Sequence, residues 1–212
     1  MTLKQKRELA LWVISELEKT YPHAACSLTY SAPHELMIAG RLSAQCTDAR
    51  VNIVTKELFE RYRTIRDFAD AELSTVVQIF KPCGLYKTKA NSIIEMCRQI
   101  MEEHGGEIPD SIEELTKLSG IGRKTANLIM GDVFHKPAVV TDTHCIRITN
   151  RLGLTREKEP AKVEQELWKI LPPEKSSDFC HRLVLFGREW CKARGQRCEG
   201  CPLAERCPSR AK

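Results

Sequence analysis

The chain has 212 residues, of which 42% are hydrophobic, and this size and composition fit one compact body or two closely packed lobes. Its net charge of +5 is concentrated at one end, because residues 182–212 hold eight Lys or Arg against three Glu, so a polyanion is predicted to bind there. The sequence has no run of about eighteen apolar residues and no apolar signal core, which argues against a membrane span and secretion. A cytoplasmic protein is expected, or a nuclear one if the source is eukaryotic.

Apolar residues recur at helical spacing along almost the whole chain. Helices are predicted to start at Pro33 and Pro160 and to be capped at their N-termini by Asp48, Asp70 and either Asp110 or Ser111. Helix ends are predicted at Tyr21–Pro22, Gly105–Gly106 and Pro172–Pro173. The remaining predicted helical segments are 88–104, 125–134, 143–152 and a run that begins at Phe179. Only 138–141 looks extended, and four residues cannot build a sheet. The sequence therefore predicts an all-α fold.

A glycine hairpin is predicted between two helices at Leu118-Ser-Gly120-Ile-Gly122-Arg123-Lys124. A helix that starts directly after the glycines presents unpaired backbone N–H groups at its positive end. Glycine leaves room for a phosphate to approach these groups, so the hairpin is interpreted as a sequence-independent grip on a nucleic-acid backbone. An ordinary glycine turn is the alternative.

Lys124 and Asp142 are the candidate catalytic residues. A lysine amine is a nucleophile only when it is uncharged, and the helix N-terminus, Arg123 and partial burial would each favour that form. Asp142 would then accept a proton or stabilise positive charge on a sugar. The alternative is that Lys124 contacts a phosphate and Asp142 only caps the following helix, and spacing alone does not decide between the two.

Four closely spaced cysteines end the chain, at Cys191, Cys198, Cys201 and Cys207. In a reducing compartment such spacing indicates a metal or cluster site, and spacing does not separate zinc from iron–sulfur. Six other cysteines are scattered and are assigned to packing: Cys26, Cys46, Cys83, Cys97, Cys145 and Cys180.

Several of these segments, taken together, resemble the endonuclease III family of DNA glycosylases. They are the hairpin Leu118–Asn127, Val140-Thr-Asp142-Thr-His144, the cysteine spacing, Leu42-Ser-Ala-Gln45-Cys-Thr-Asp48 and Gly84-Leu85-Tyr86-Lys-Thr-Lys-Ala90. The resemblance implies a two-lobed helix-hairpin-helix glycosylase fold with a cleft between the lobes. A six-helix domain would span 25–137, and a [4Fe-4S] cluster domain would combine 1–24 with 138–212.

The resemblance also implies an activity, namely excision of oxidised or ring-saturated pyrimidines from duplex DNA followed by cleavage of the abasic site. Lys124 would attack C1′ of a flipped-out nucleotide and form a Schiff base, with assistance from Asp142, and β-elimination would follow. The four cysteines would hold the [4Fe-4S] cluster. The expected partner is double-stranded DNA with damaged bases or abasic sites, and the protein is expected to be a monomer.

Other residues match the family's DNA contacts. Gln45 and Leu85 would fill the gap left by the flipped nucleotide, and His144 would lie beside a phosphate. The remaining predicted contacts are Gly120, Gly122 and Arg123 in the hairpin and Lys192, Arg194 and Arg197 between the first two cysteines. Without the resemblance, Gln45, Leu85 and His144 would be read as ordinary structural residues. Gly40–Arg41 depart from the aliphatic pair expected there, so Arg41 is predicted to face solvent or DNA.

Two other functions remain open at this point. One is a monofunctional mismatch glycosylase of the same superfamily, whose members usually lack a lysine at the position of Lys124. The other is a non-catalytic DNA-binding module stabilised by metal, which would not need Lys124 and Asp142 together.

Overall fold

A computed structural model describes residues 1–210, and this part of the chain is built from α-helices and 3₁₀ turns without a β-strand. The all-α prediction is therefore confirmed. In chain order the helices are α1 (Leu3–Thr20), α2 (Pro33–Leu42), α3 (Asp48–Arg61), α4 (Ile65–Ala69), α5 (Leu73–Phe80), α6 (Tyr86–Glu103), α7 (Ile112–Leu115), α8 (Arg123–Asp132), α9 (Thr143–Arg151), α10 (Pro160–Trp168) and α11 (Ser176–Glu189).

The chain divides into two compact units. One is the continuous segment Ser27–Phe134, and the other combines Met1–Cys26 with the chain from His135 onward. The boundaries expected from the sequence, after residues 24 and 137, differ from these by two and three residues.

The continuous unit has α2 at its centre. Every residue from 35 to 40 is buried, and α2 packs against α3, α6 and α8, while α6 also covers α4 and α5. A helix that is apolar on all sides belongs in a core. Gly40 permits the contact with α8, because a Cβ at this position would lie 3.0 Å from Cγ2 of Thr125. The departure at Gly40 therefore reflects close helix packing at the start of α8.

In the unit formed by both chain segments, α11 is the central helix and contacts α1 and α9. Leu9, Val13 and Leu17 form the buried stripe of α1, as their helical spacing predicts. Phe179, Leu183 and Phe186 form the buried face of α11. The two stripes supply the core on which α9 rests.

Several predicted helix ends differ from the structure in their capping residue. The side chain of Thr47, not Asp48, caps α3, and Glu72, not Asp70, caps α5 by accepting the N–H groups of Ser74 and Thr75. Asp70 instead ends α4, a five-residue helix that the apolar pattern did not predict. α8 starts at Arg123, as the hairpin predicts, two residues before the limit that the apolar pattern indicated.

Within the part of the chain that is described, no helix has the length and apolar character needed to cross a membrane.

Candidate nucleic-acid interface and cysteine centre

The hairpin between α7 and α8 leaves the start of α8 open. Gly120 adopts φ +77°, a conformation that favours glycine, and the N–H of Ile121 closes the turn on the carbonyl of Leu118 at 3.1 Å. Gly122 is the N-cap of α8 and supplies no capping side chain. A Cβ on Gly122 would meet no protein atom within 4 Å. The first turn of α8 is therefore accessible to an anion.

Arg41 supports the hairpin from within the same unit. Its Nε donates to Oγ of Ser92 at 2.9 Å, and a Cβ on Gly120 would lie 2.9 Å from its Cδ. Burial lowers the pKa of the Arg41 guanidinium from its ordinary value. The side chain of Arg41 is partly buried beneath the turn, so it is less exposed than predicted, and its contact with DNA stays a prediction.

Lys124 lies in the first turn of α8, and its side chain is exposed. The expected partial burial of Lys124 is wrong. The reason is the orientation of α8, which buries Ala126, Ile129 and Met130 and leaves Arg123 and Lys124 on the surface. An exposed amine next to an open helix N-terminus can reach a bound substrate without rearrangement of a core.

Asp142 is the N-cap of α9. Its Oδ1 accepts the N–H of Cys145 at 2.7 Å, and its Oδ2 lies 3.0 Å from Nδ1 of His144. The carboxylate is 16% exposed, so both oxygens are held by partners while one edge stays open to solvent. Asp142 therefore does cap α9, the role that the sequence left open as an alternative. The imidazole of His144 further constrains the orientation of the Asp142 carboxylate.

His144 is fixed from the other side by α11. A Cβ on Gly187 would lie 2.5 Å from Cδ2 of His144 and 2.9 Å from Nη2 of Arg147. Glycine is therefore the only residue that lets α11 pass α9 at this distance. No signal in the sequence predicts this contact, since Gly187 stands alone in an apolar run.

Arg147 and Arg151, four residues apart on α9, hold the first cysteine segment. Arg147 donates through Nε and Nη2 to the carbonyl oxygen of Cys191, at 3.1 and 2.9 Å. The Nη1 of Arg151 lies 3.2 Å from Sγ of Cys191 and donates to the carbonyl oxygen of Lys192 at 2.8 Å. One helix therefore carries the Asp142 carboxylate at its start and anchors the cysteine segment at its end. Sequence reasoning did not identify either arginine.

The four closely spaced cysteines line one cavity of about 30 Å³, whose wall also includes Ile148, Phe186 and Leu203. Burial raises the pKa of the Cys201 and Cys207 thiols, so a cation in the cavity is needed to hold them as thiolates near neutral pH. Between residues 1 and 210, no three side chains among His, Cys, Asp and Glu converge on a position for a single metal ion.

The three cations between Cys191 and Cys198 are exposed. The guanidinium of Arg197 lies over the ring of Trp190 at 5.3 Å, while Lys192 and Arg194 extend from the loop whose tip is Gly195. Stacking of a guanidinium on an indole leaves its N–H edges able to donate to a phosphate.

Gln45 and Leu85 share an unusual backbone conformation. Their φ angles are +55° and +57°, in the left-handed region that residues with a side chain adopt infrequently. Both side chains are exposed, and 57% of Leu85 is accessible to solvent. Residues held in this region cluster at functional sites, and the sequence pattern carried no sign of it.

Comparisons with known proteins agree with this geometry. Residues 38–173 match the model of the HhH-GPD superfamily of base excision DNA repair proteins. The chain is 44% identical to endonuclease III of Bacillus subtilis (strain 168) over 195 residues, which cover 92% of this chain and 89% of the relative. A solved structure of a trapped endonuclease III–DNA covalent intermediate superposes with a TM-score of 0.91 at 42% identity, covering 99% of this chain and 97% of that one. A thermostable thymine-DNA glycosylase, at 22% identity, shares the fold with a TM-score of 0.84 over 97% of each chain.

Proposed function

Because this chain belongs to the endonuclease III family of helix-hairpin-helix base-excision DNA repair proteins, we propose that it removes oxidised or ring-saturated pyrimidines from duplex DNA and cleaves the resulting abasic site. It is a DNA glycosylase and lyase. The observation that carries the mechanism is the position of Lys124, an exposed amine in the first turn of α8 directly after an open glycine hairpin.

The hairpin positions the DNA backbone next to Lys124. Phosphate oxygens accept hydrogen bonds from the N–H groups at the start of α8, where the helix dipole favours negative charge. Gly122 allows the close approach because nothing projects from its Cα into the space. Such contacts do not depend on the base sequence of the DNA, as an enzyme that searches for damage requires.

In the chemical step, Nζ of Lys124 attacks C1′ of the extruded nucleotide while the bond from C1′ to the base nitrogen breaks. The base leaves with the electron pair and takes up a proton. Opening of the sugar ring then gives a protonated Schiff base between Nζ and C1′. Loss of a C2′ proton and departure of the 3′ phosphate break the strand by β-elimination.

Asp142 stabilises the positive charge that develops on the sugar and accepts a proton from the amine. Its two oxygens are held by the Cys145 N–H and by His144, so the carboxylate is oriented before the substrate binds. Preorganised charge of this kind is usually a large part of catalysis.

Gln45 and Leu85 fill the gap in the base stack. Both are exposed and are held in strained left-handed conformations at the ends of loops, which points their side chains away from the core. Unstacking a base costs a few kcal/mol, and side chains that replace it recover part of that free energy.

For the cysteine centre we propose a [4Fe-4S] cluster ligated by Cys191, Cys198, Cys201 and Cys207. The residues fit this group, because four thiols and an apolar wall surround one cavity, and the Arg151 guanidinium lies against one sulfur. In such a cluster each thiolate ligates its own iron, so the ligands need not converge on one point. When bound, the cluster would cross-link the segment between Cys191 and Cys207. The exposed Lys192, Arg194 and Arg197 would thereby be held for contact with DNA phosphates.

Borohydride trapping tests the proposed chemistry. An abasic-site duplex incubated with the enzyme and borohydride is expected to give a covalent protein–DNA adduct on a denaturing gel, and Lys124→Ala is expected to give none. An adduct of unchanged yield in that variant contradicts the assignment of the nucleophile. The cluster is tested separately by iron analysis, since a colourless protein that contains one zinc contradicts it.

A further inference from the structure

Cys46 and Cys83 form a thiol pair that the proposed function does not use. Both lie in the unit Ser27–Phe134, and the neighbouring Cys46 thiol contributes to the raised pKa of Cys83, so the two thiols interact. Cys83 is buried, whereas Cys46 is only partly buried and can be reached from solvent. The pair therefore has one accessible thiol and one protected thiol.

The pair lies where two loops meet. Cys46 follows Gln45 in the loop after α2, and Cys83 precedes Gly84–Leu85 in the loop before α6. A Cβ on Gly84 would lie 3.8 Å from the carbonyl oxygen of Gln45, so the loop backbones are already in contact. Each cysteine is thus within two residues of a side chain assigned to the gap in the base stack.

A buried cation faces both sulfurs. Lys89 has no exposed surface, donates to the carbonyl oxygen of Leu42 at 2.8 Å, and interacts electrostatically with Cys46 and Cys83. Burial and the neighbouring Cys46 raise the pKa of Cys83 to about 11, and the positive charges of Lys89 and Arg50 act in the opposite direction. The ammonium group is positioned to stabilise a thiolate during sulfur exchange.

We propose that Cys46 and Cys83 are a reversible dithiol site that reacts with low-molecular-weight disulfides and cross-links the two loops carrying Gln45 and Leu85. The effect of this cross-link on DNA rests on the proposed function, whereas its formation does not. The earlier assignment of these two cysteines to packing is revised accordingly.

The reaction is thiol–disulfide exchange and needs no other oxidant. The Cys46 thiolate attacks one sulfur of the small disulfide, forms a mixed disulfide and releases one small thiolate. Cys83, after losing its proton, attacks the sulfur of Cys46, closes the Cys46–Cys83 bond and releases the second small thiolate. Two protein thiols are oxidised, and one disulfide is reduced to two thiols.

Cross-linking changes the loops because a disulfide is shorter than a thiol contact. The sulfurs must approach to about 2.05 Å with Cβ atoms about 3.8 Å apart, while the two loops already touch, since a Cβ on Gly84 would lie 3.8 Å from the carbonyl oxygen of Gln45. The strained backbone at Gln45 and Leu85 must absorb the change. We therefore expect the oxidised protein to fill the gap in damaged DNA less well.

The test uses the cluster-containing protein, oxidised glutathione and peptide mapping by mass spectrometry without reduction. The expected product is a peptide pair joined through Cys46 and Cys83. Affinity for a duplex with a reduced abasic-site analogue should fall by about fivefold or more and recover with dithiothreitol. Cys83→Ala should instead carry glutathione on Cys46 and form no internal cross-link, and before exposure to oxidised glutathione it should bind DNA as the reduced protein does.

The chain contains a matched control pair. Cys180 likewise contributes to the raised pKa of Cys145, but both thiols are buried, so they should stay reduced under the same conditions. Cys46→Ala provides a second variant if Cys83→Ala unfolds. Absence of the 46–83 peptide, or earlier oxidation of Cys145 and Cys180, overturns the site. A complete cross-link with unchanged DNA affinity overturns the proposed effect of the cross-link on the two loops. Borohydride trapping with the reduced protein tests the proposed function independently of the cross-link.

Discussion

Arg41 lies directly beneath Gly120, so that a Cβ on the glycine would stand 2.9 Å from Cδ of the arginine. The hairpin therefore depends on two properties of Gly120, its positive φ and its lack of a side chain. The nearby Gly122 has φ −94° and open space around its Cβ position. These two glycines allow structural and DNA-binding roles to be separated by experiment.

Gly120→Ala should destabilise the protein by about 2 kcal/mol or more, because the left-handed backbone and the contact with Arg41 both oppose a Cβ. Urea unfolding of the variant measures this loss. In an Arg41→Ala background, the additional cost of Gly120→Ala should be smaller, because only the left-handed backbone and the contact with Cβ of Ser92, at 2.9 Å, still oppose the new methyl group. Additive effects of the two changes would show that Arg41 does not constrain the turn.

Gly122→Ala should lower the free energy of unfolding by only about 0.5–1 kcal/mol, because alanine is a poorer N-cap than glycine but the new methyl group meets no protein atom within 4 Å. The same methyl group stands where a phosphate would approach the start of α8. Affinity for undamaged duplex should therefore fall, by a factor independent of sequence. Fluorescence anisotropy with two unrelated duplexes measures it, and equal affinity of variant and parent would remove the phosphate site from the hairpin.

The sequence was sufficient for the helical class and the main helix limits because apolar spacing, Pro33, Pro160 and the Gly105–Gly106 pair are local signals. It was not sufficient for contacts between distant segments. Arg41 beneath Gly120 joins positions about eighty residues apart, and no periodicity encodes that contact. The cap of α5 was missed for a different reason, since both Asp70 and Glu72 are able to accept backbone N–H groups and only the chain path selects Glu72.

For the candidate site, the sequence supplied the identities of Lys124 and Asp142 but not their surroundings. Lys124 is exposed because another face of α8 packs on α2. Gly40 permits that packing, since it has no Cβ to meet Thr125. The orientation of Asp142 depends on His144 two residues later, a spacing too short to be recognised as a helical pair.

Substitutions of Asp142 can separate helix capping from catalysis. Asparagine is as good an N-cap as aspartate, so Asp142→Asn should retain the stability of the parent within about 0.5 kcal/mol, whereas Asp142→Ala should lose about 1 kcal/mol. Both variants lack the carboxylate charge, and both should lose most of the single-turnover rate of base excision. If Asp142→Asn keeps the rate of the parent, capping is the only role of this residue.

Gly187→Ala should reduce activity through His144 without touching DNA. The new Cβ would lie 2.5 Å from Cδ2 of His144, and the imidazole must move away from the Asp142 carboxylate to accommodate it. The excision rate should fall more than the affinity for an abasic-site duplex. His144→Ala removes the contact at 2.5 Å but leaves those with Nη2 of Arg147 at 2.9 Å and Cδ1 of Ile148 at 3.0 Å, so the cost of Gly187→Ala should be smaller in a His144→Ala background than in the parent. An equal cost in both backgrounds would show that Arg147 or Ile148, not His144, opposes the new methyl group.

Neutralising the loop between Cys191 and Cys198 should weaken binding to every duplex. The variant carries Lys192→Gln, Arg194→Gln and Arg197→Gln, all at exposed positions. Each phosphate contact releases counterions, so three lost contacts should reduce the slope of log affinity against log salt concentration by up to about 3 in magnitude.

The matched control replaces Lys158, Lys162 and Lys169 by glutamine, which makes the same change in net charge at other exposed positions. The control should retain most of the slope of the parent, because long-range attraction is screened beyond about 10 Å at 0.1 M salt while direct phosphate contacts persist. Equal slopes for the two triple variants would mean that overall charge, not this loop, attracts the DNA. Iron analysis of each preparation separates loss of charge from loss of the proposed cluster, because loss of that cluster would also release the segment between Cys191 and Cys198.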